Sequence, residues 1–220
     1  MDILDIMKSR HSVRQYTDKK IEDEKRNILN AFAAECNAES GLNIQIIYDE
    51  PTCFNSMMAH YGKFSGCTNY IAIVGKKSKD LQEKAGYYGE KLVLKAQEIG
   101  LNTCWVALTH GKSMAKIEND EKLAIIISLG YGENQGAAHK NKPLSAVCNI
   151  TDESPEWFAK GMEAVMLAPT AMNQQKFTFT LDGDRVSAKA GIGFYTKVDL
   201  GIAKYHFEIG SGKDKSVWKK

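Results

Sequence analysis

An α+β fold with helices flanking a mixed sheet is predicted by three features of the sequence. Segments with a helical period alternate with short apolar or alternating runs from end to end. An alternating run also ends at Asp182-Gly183, a tight-hairpin dipeptide that a purely parallel sheet does not need. Finally, 220 residues suffice for one sizeable core or for two small, intimately packed halves.

The elements follow in order. Residues 2–8 form a short amphipathic helix, with Ile3, Leu4, Ile6 and Met7 on one face. Residues 23–34 read as a helix burying Ile28, Leu29 and Phe32, followed by a loop that ends at Gly41. Residues 43–48 alternate as a strand and are broken by Asp49-Glu50-Pro51. Residues 51–69 have no clean period and predict a loop or short helix. The continuous apolar run 70–74, closed by Gly75, suits a strand buried on both faces. Residues 79–99 carry Leu81, Ala85, Tyr88, Leu92, Ala96 and Ile99 at steps of three and four, and Gly100 supplies a stop. Residues 103–108 and 123–129 read as further buried strands. Ser154-Pro155 predicts an N-cap and first helical position, with that helix running toward Pro169. Residues 176–181 alternate as a half-buried strand, and residues 198–209 predict a last helix stopped by Gly210.

Composition narrows the function classes. A formal charge of +2, with Lys and Arg interspersed among Asp and Glu, is too small for a nucleic-acid footprint. No apolar run reaches the roughly 18 residues of a membrane helix, and the amino terminus lacks a signal-type apolar core. The five cysteines are scattered, odd in number and without a C-x-x-C pair. This argues against a zinc site or disulfide framework and for a reducing, cytoplasmic setting.

An ungapped overlay of residues 31–49 on 164–182 matches two helix-loop-strand pieces, setting Ile44, Ile46 and Tyr48 against Phe177, Phe179 and Leu181. The Tyr87-Tyr88-Gly89 helix similarly overlays the Asp199-Leu200-Gly201 helix. These matches raise an internal duplication with two pseudo-equivalent halves, 1–150 and 151–220, and a site between them.

Three segments carry chemistry. Arg10-His11-Ser12-Val13-Arg14 places two guanidinium groups, an imidazole and a hydroxyl within five positions. Arginine stays charged at any physiological pH and its planar fork matches phosphate oxygens. Read alone, so short a segment favours a solvated basic turn between a helix and a strand over a phosphate cradle. The others are Gly100-Leu101-Asn102-Thr103-Cys104-Trp105-Val106-Ala107 and Ala168-Pro169-Thr170-Ala171-Met172-Asn173-Gln174-Gln175. No G-x-S-x-G, H-E-x-x-H or G-x-G-x-x-G motif is present.

Together with Leu129-Gly130-Tyr131-Gly132 and Lys140-Asn141-Lys142-Pro143, these segments resemble the FMN-dependent nitroreductase family, with its R-x-S-x-R, G-L-x-x-x-W and A-P-S-x-x-N-x-Q motifs. The order differs from a typical member, because the A-P-S-like loop stands late in the chain. The chain is similar to the branch with two related halves fused, in which the second half would take the role a partner subunit plays elsewhere. The resemblance implies a nitroreductase-like α+β fold in a monomer mimicking a dimer, or in a homodimer. It implies FMN held by Arg10 and Arg14 at its phosphate and pyrimidine ends, with His11 and Ser12 on ribityl or phosphate oxygens. Lys140 and Lys142 would add a late basic pair at the phosphate. Pro169, Thr170, Ala171, Met172 and Asn173 would pack on the ring, with Asn173 bonding its polar edge. The strand carrying Trp105 would lead into Val106, Ala107 and Leu108, whose backbone would face flavin N5.

The expected function is an oxidoreductase passing hydride from NADH or NADPH through FMN to a small electron-poor acceptor such as a nitroaromatic or quinone. The alternative is a flavin-binding carrier or sensor without turnover. His206 reads as structural, and Trp105 as a core residue whose strand matters more than its ring.

Overall fold

The computed structural model describes residues 2–219. Its chain order is α1 (Ile3–Ser9), α2 (Asp23–Ser40), β1 (Asn43–Ile47), α3 (Met57–Tyr61), β2 (Asn69–Lys76), α4 (Leu81–Glu98), β3 (Asn102–Val106), β4 (Glu121–Gly130), α5 (Glu156–Val165), β5 (Phe177–Asp182), β6 (Arg185–Ala190) and α6 (Thr196–Ser211). The first four strands form one sheet in the order β1-β2-β4-β3, and β5-β6 form a hairpin. The α+β class is as expected. Every ladder is antiparallel, and parallel pairing is confined to isolated bridges such as Ser12 to Thr103.

β2 is a central strand, so both of its faces are covered. Ile71 and Ile73 face a core shared with α2 and α4, while Tyr70 and Ala72 join Phe54, Phe64, Cys104 and Ile126 on the other side. A continuous apolar run is thus explained by two covered faces in an antiparallel sheet, without βαβ crossovers. α3 opens with Ser56, whose Oγ accepts from Ala59 N at 3.1 Å.

Several helix ends differ from expectation. α2 runs on to Ser40, and Gly41, at φ 70°, caps it by donating to Asn37 O at 2.9 Å. The polar stretch 35–40 conceals this, because only Cys36 within it is buried. Ile28 is exposed, so the stripe centres on Leu29, Ala33 and Cys36 instead. α5 starts at Glu156 with Pro155 at the N-cap, and Ser154 Oγ accepts from Thr151 N at 2.9 Å rather than capping the helix. Gly210 does not stop α6. A Cβ there would lie 2.4 Å from Ala164 Cβ and 2.6 Å from Lys160 O, so Gly210 lets α5 approach, and Gly212 at φ 65° ends the helix.

α4 and α6 approach still more closely. A Cβ on Gly86 would lie 2.0 Å from Val198 O, and one on Gly201 would lie 2.0 Å from Glu83 O. This contact brings the 151–220 segment onto the first. One core runs through both, with Leu92 and Val93 beside Phe158, Met162, Phe179 and Phe207. Of the two overlaid helix-loop-strand pieces, one delivers β1 to the four-stranded sheet and the other delivers β5 to the hairpin.

Candidate functional site

The basic segment begins where α1 stops. Arg10 donates its N–H to Ile6 O at 2.9 Å and then turns extended, at φ −74° and ψ 115°. The chain next runs along β3, an edge of the sheet, with Val13 N donating to Thr103 O at 3.0 Å. Buried Tyr16 pins it further on, donating to Val13 O at 2.8 Å and sharing a hydrogen bond of 2.7 Å with Ser128 Oγ. Residues 10–14 are therefore tied to the sheet through their backbone, and their side chains are free to face elsewhere.

Opposite lies the loop after α5. Met172, Asn173 and Gln175 have φ of 53°, 52° and 43°, a left-handed conformation that costs a non-glycine residue roughly 1–3 kcal/mol. A hydrogen-bond net offsets this cost. Buried Asp199, in the first turn of α6, accepts from Ala171 N at 2.9 Å and from Gln174 Nε2 at 2.8 Å. Buried Gln175 donates to Lys140 O at 3.0 Å, and its Oε1 accepts from Lys142 N at 2.8 Å.

Between these walls lie two adjoining clefts of about 110 and 420 Å³, the second within the range of about 300–1,000 Å³ usual for small-molecule and cofactor sites. Ser12, Arg14, Pro169, Thr170 and Met172 line both. The first adds Cys104, Trp105, Ala107, Ala171, Tyr195 and Asp199; the second adds Arg10, Ala137, His139 and Asn173. His11 lies in an adjoining recess with Arg10 and His139.

Four of the expected residues, Val106, Leu108, Lys140 and Lys142, line neither cleft. Val106 is buried under the far face of the sheet, and Leu108 is exposed outside either cleft. The Lys142 ammonium donates to Gln174 O at 2.7 Å and Gln175 O at 3.3 Å, while exposed Lys140 offers its carbonyl to Asn173 Nδ2 at 2.8 Å. Both lysines brace the loop and line neither cleft. Asn173 does line the cleft, yet its carboxamide is taken up inside the loop by Lys140 O and Gln175 Nε2.

Electrostatics favour an anion at the Arg10 end. Arg10 is 3% exposed, and its Nε and Nη1 are buried without a hydrogen-bond partner. A buried unsatisfied donor costs about 1–3 kcal/mol, and more when charged, so a ligand oxygen here would relieve an existing penalty. His11 is held below the usual imidazole range by burial and by the neighbouring Arg10 charge, which keeps it neutral. At the other end, burial pushes Asp199 up to about 6, against the opposing pull of Ala171 N–H and Gln174.

Asp199, Tyr195 and His139 are site residues that motif reading misses. For Asp199 a signal exists, since an acid interrupts the otherwise apolar run Val198 to Ala203. Tyr195 and His139 come from loops with no period, and nothing local marks them.

The chain matches the sequence profile of the family described as "Putative TM nitroreductase" over residues 2–211. It is similar in fold to a "putative nitroreductase" from Thermotoga maritima, at 24% identity and TM-score 0.69, with 96% of this chain and 83% of that one covered. A "putative nitroreductase in complex with FMN" from Desulfovibrio desulfuricans aligns at 17% identity and TM-score 0.54, over 70% of this chain and 96% of that one. A "Putative NADH dehydrogenase/NAD(P)H nitroreductase" from Bacteroides thetaiotaomicron aligns at 17% identity and TM-score 0.52, over 66% and 95%. No curated protein matches the chain. Among the described residues, no helix is long and apolar enough to cross a membrane, and no cluster of His, Cys, Asp or Glu could hold a metal ion.

Proposed function

Because the chain belongs to the nitroreductase family, whose members are oxidoreductases, we propose that it binds FMN in the cleft between residues 10–14 and 169–173 and passes hydride from NADH or NADPH to a small electron-poor acceptor. The observation that carries this reading is buried Arg10, which lines the second cleft and has two guanidinium nitrogens without a hydrogen-bond partner. A relative with FMN bound and another named for NAD(P)H support the cofactor and the donor.

FMN supplies the hydride chemistry, accepting and releasing an electron pair at its ring, and the protein supplies binding, orientation and charge. Arg10 holds the phosphate, with His11 and Ser12 beside it. Arg14, exposed and lining both clefts, takes the pyrimidine edge, where a fixed cation favours negative charge. Pro169, Thr170, Ala171 and Met172 cover a ring face, and Asp199 holds that wall in place through Ala171 N–H. Of the 106–108 segment only Ala107 lines the cleft, so the backbone contact to the ring is assigned to it. Lys140, Lys142 and Asn173 act by bracing the loop.

On this reading 151–220 supplies the wall that a second subunit provides in two-chain sites, and one chain holds a complete site. All five cysteines are free and buried, in keeping with a reducing cytoplasmic setting.

The test is the visible spectrum of purified protein titrated with FMN, then exposed anaerobically to NADH and to NADPH. Flavin that binds and bleaches, and regains colour with a nitroaromatic or quinone, is expected. Colourless protein that takes up no FMN overturns the proposal, and bound flavin that neither nicotinamide bleaches reassigns the chain as a carrier or sensor.

A further inference from the structure

We infer that Glu90 is the positioning residue for Arg10, holding the guanidinium by charge while leaving its donors open for the phosphate; this rests on the FMN reading above.

Glu90 sits on α4 and is fully buried. Its Oε2 accepts from Trp105 Nε1 at 3.0 Å, and its Oε1 is 2.9 Å from His206 Nε2. His206, on α6 and also fully buried, sets its Nδ1 3.0 Å from Ala164 O. A carbonyl only accepts, so Nδ1 carries a proton and a second proton lies between Nε2 and Oε1. This fixes the carboxylate from two sides.

The carboxylate also faces Arg10, whose Nε lies 4.0 Å from Oε1. That separation is decisive. Within a buried, low-dielectric region the opposite charges attract strongly, yet 4.0 Å is too long to consume an Arg10 donor. Arg10 Nε and Nη1 stay without a hydrogen-bond partner, and the residue lines the second cleft. Two charges this deep are costly to bury, and a purely structural pair would close to hydrogen-bond distance to recover that cost. Glu90 also bonds the Trp105 indole, so one carboxylate orients residues at both ends of the cleft.

The experiment compares FMN and riboflavin, which differ only in the phosphate, by flavin fluorescence quenching on purified chain. Glu90→Gln keeps the size and the Trp105 contact but removes the charge facing Arg10. FMN affinity is expected to fall roughly tenfold or more, the scale of a charge-assisted contact, with riboflavin affinity within about twofold of wild type. His206→Gln retains a donor to a charged Glu90 and is expected to keep FMN affinity within about threefold. Glu90→Asp withdraws the charge by one methylene and is expected to give the same FMN-selective loss; it serves if Glu90→Gln does not fold. Unchanged FMN affinity in the Glu90 variants, or equal loss of both flavins, overturns the inference while the flavin reading stands. Wild-type chain that binds neither flavin overturns both.

Discussion

Two cationic residues four positions apart have unequal surroundings, and their substitutions should separate. Arg14 is exposed and has no ion-pair partner among the described residues, whereas Arg10 is buried beside Glu90. Arg14→Ala should therefore weaken FMN binding tenfold or more while leaving the melting temperature within about 2 °C, as surface substitutions usually do. Arg10→Ala should lose FMN and also stability, by about 3–5 kcal/mol, because it leaves a buried carboxylate with one cation fewer. Flavin titration alongside thermal melts checks both, and equal stability loss in the two variants would contradict the geometry. Asp199 gives a pH prediction at the same scale. Its folded pKa, pushed up to about 6 from an ordinary 3.8, means the folded chain holds more protons than the unfolded chain between those values. Stability from this group is thus full at low pH and declines as pH rises through about 6, by up to about 3 kcal/mol. The stability gap between wild type and Asp199→Asn, measured by urea at pH 4.5 and 7.5, should move against wild type at the higher pH. A constant gap would sink the assignment.

Among the elements, the crossing of α4 with α6 is the tightest joint in the molecule's architecture. Gly201 touches main chain, with Glu83 O and Tyr87 N at 2.0 and 2.8 Å from a would-be Cβ, and neither can swing aside as a side chain would. Gly201→Ala should cost about 3 kcal/mol or more by overpacking, lowering the melting temperature by roughly 6–12 °C. Gly212 meets nothing within 4 Å, so Gly212→Ala should cost only the left-handed penalty of about 1–2 kcal/mol. Reversal of that order in calorimetry would disprove the crossing. The contrast shows how far glycine is legible in sequence. Gly100 and Gly210 both look like helix ends in the sequence, but Gly210 is a packing contact with Ala164 on α5 and Gly212 ends α6. A one-dimensional pattern has no means of separating a stop from a close approach to a remote backbone. Local signals were nevertheless enough for β2, whose apolar run reports two covered faces whatever the direction of its neighbours, and for the Asp182-Gly183 turn, where Gly183 takes φ 62°.

At the scale of the whole molecule, the core on the helix side of the sheet is shared between 1–150 and 151–220. Leu92 and Val93 of α4 lose Phe158, Met162 and Phe207 if the chain is divided. Residues 1–150 expressed alone should therefore show no cooperative melt and no FMN binding, and a stable, flavin-binding 1–150 fragment would refute the proposed division of labour. The basic segment, the edge strand and the late proline loop were each visible in the sequence, because phosphate recognition, burial and backbone punctuation leave local compositional marks. Those marks also determined the α+β class and the family resemblance. Only the tertiary structure decided which candidates face the cleft. It turned Lys142 onto the Gln174 and Gln175 carbonyls, buried the Val106 side chain beneath the sheet, brought Asp199 to the cleft, and set Glu90 with His206 behind Arg10. The physical reason is that a side chain's direction and partners depend on helix crossings and strand register set by contacts more than a hundred residues apart, such as Glu90 with His206. Such contacts have no periodic trace in the segment that carries either residue.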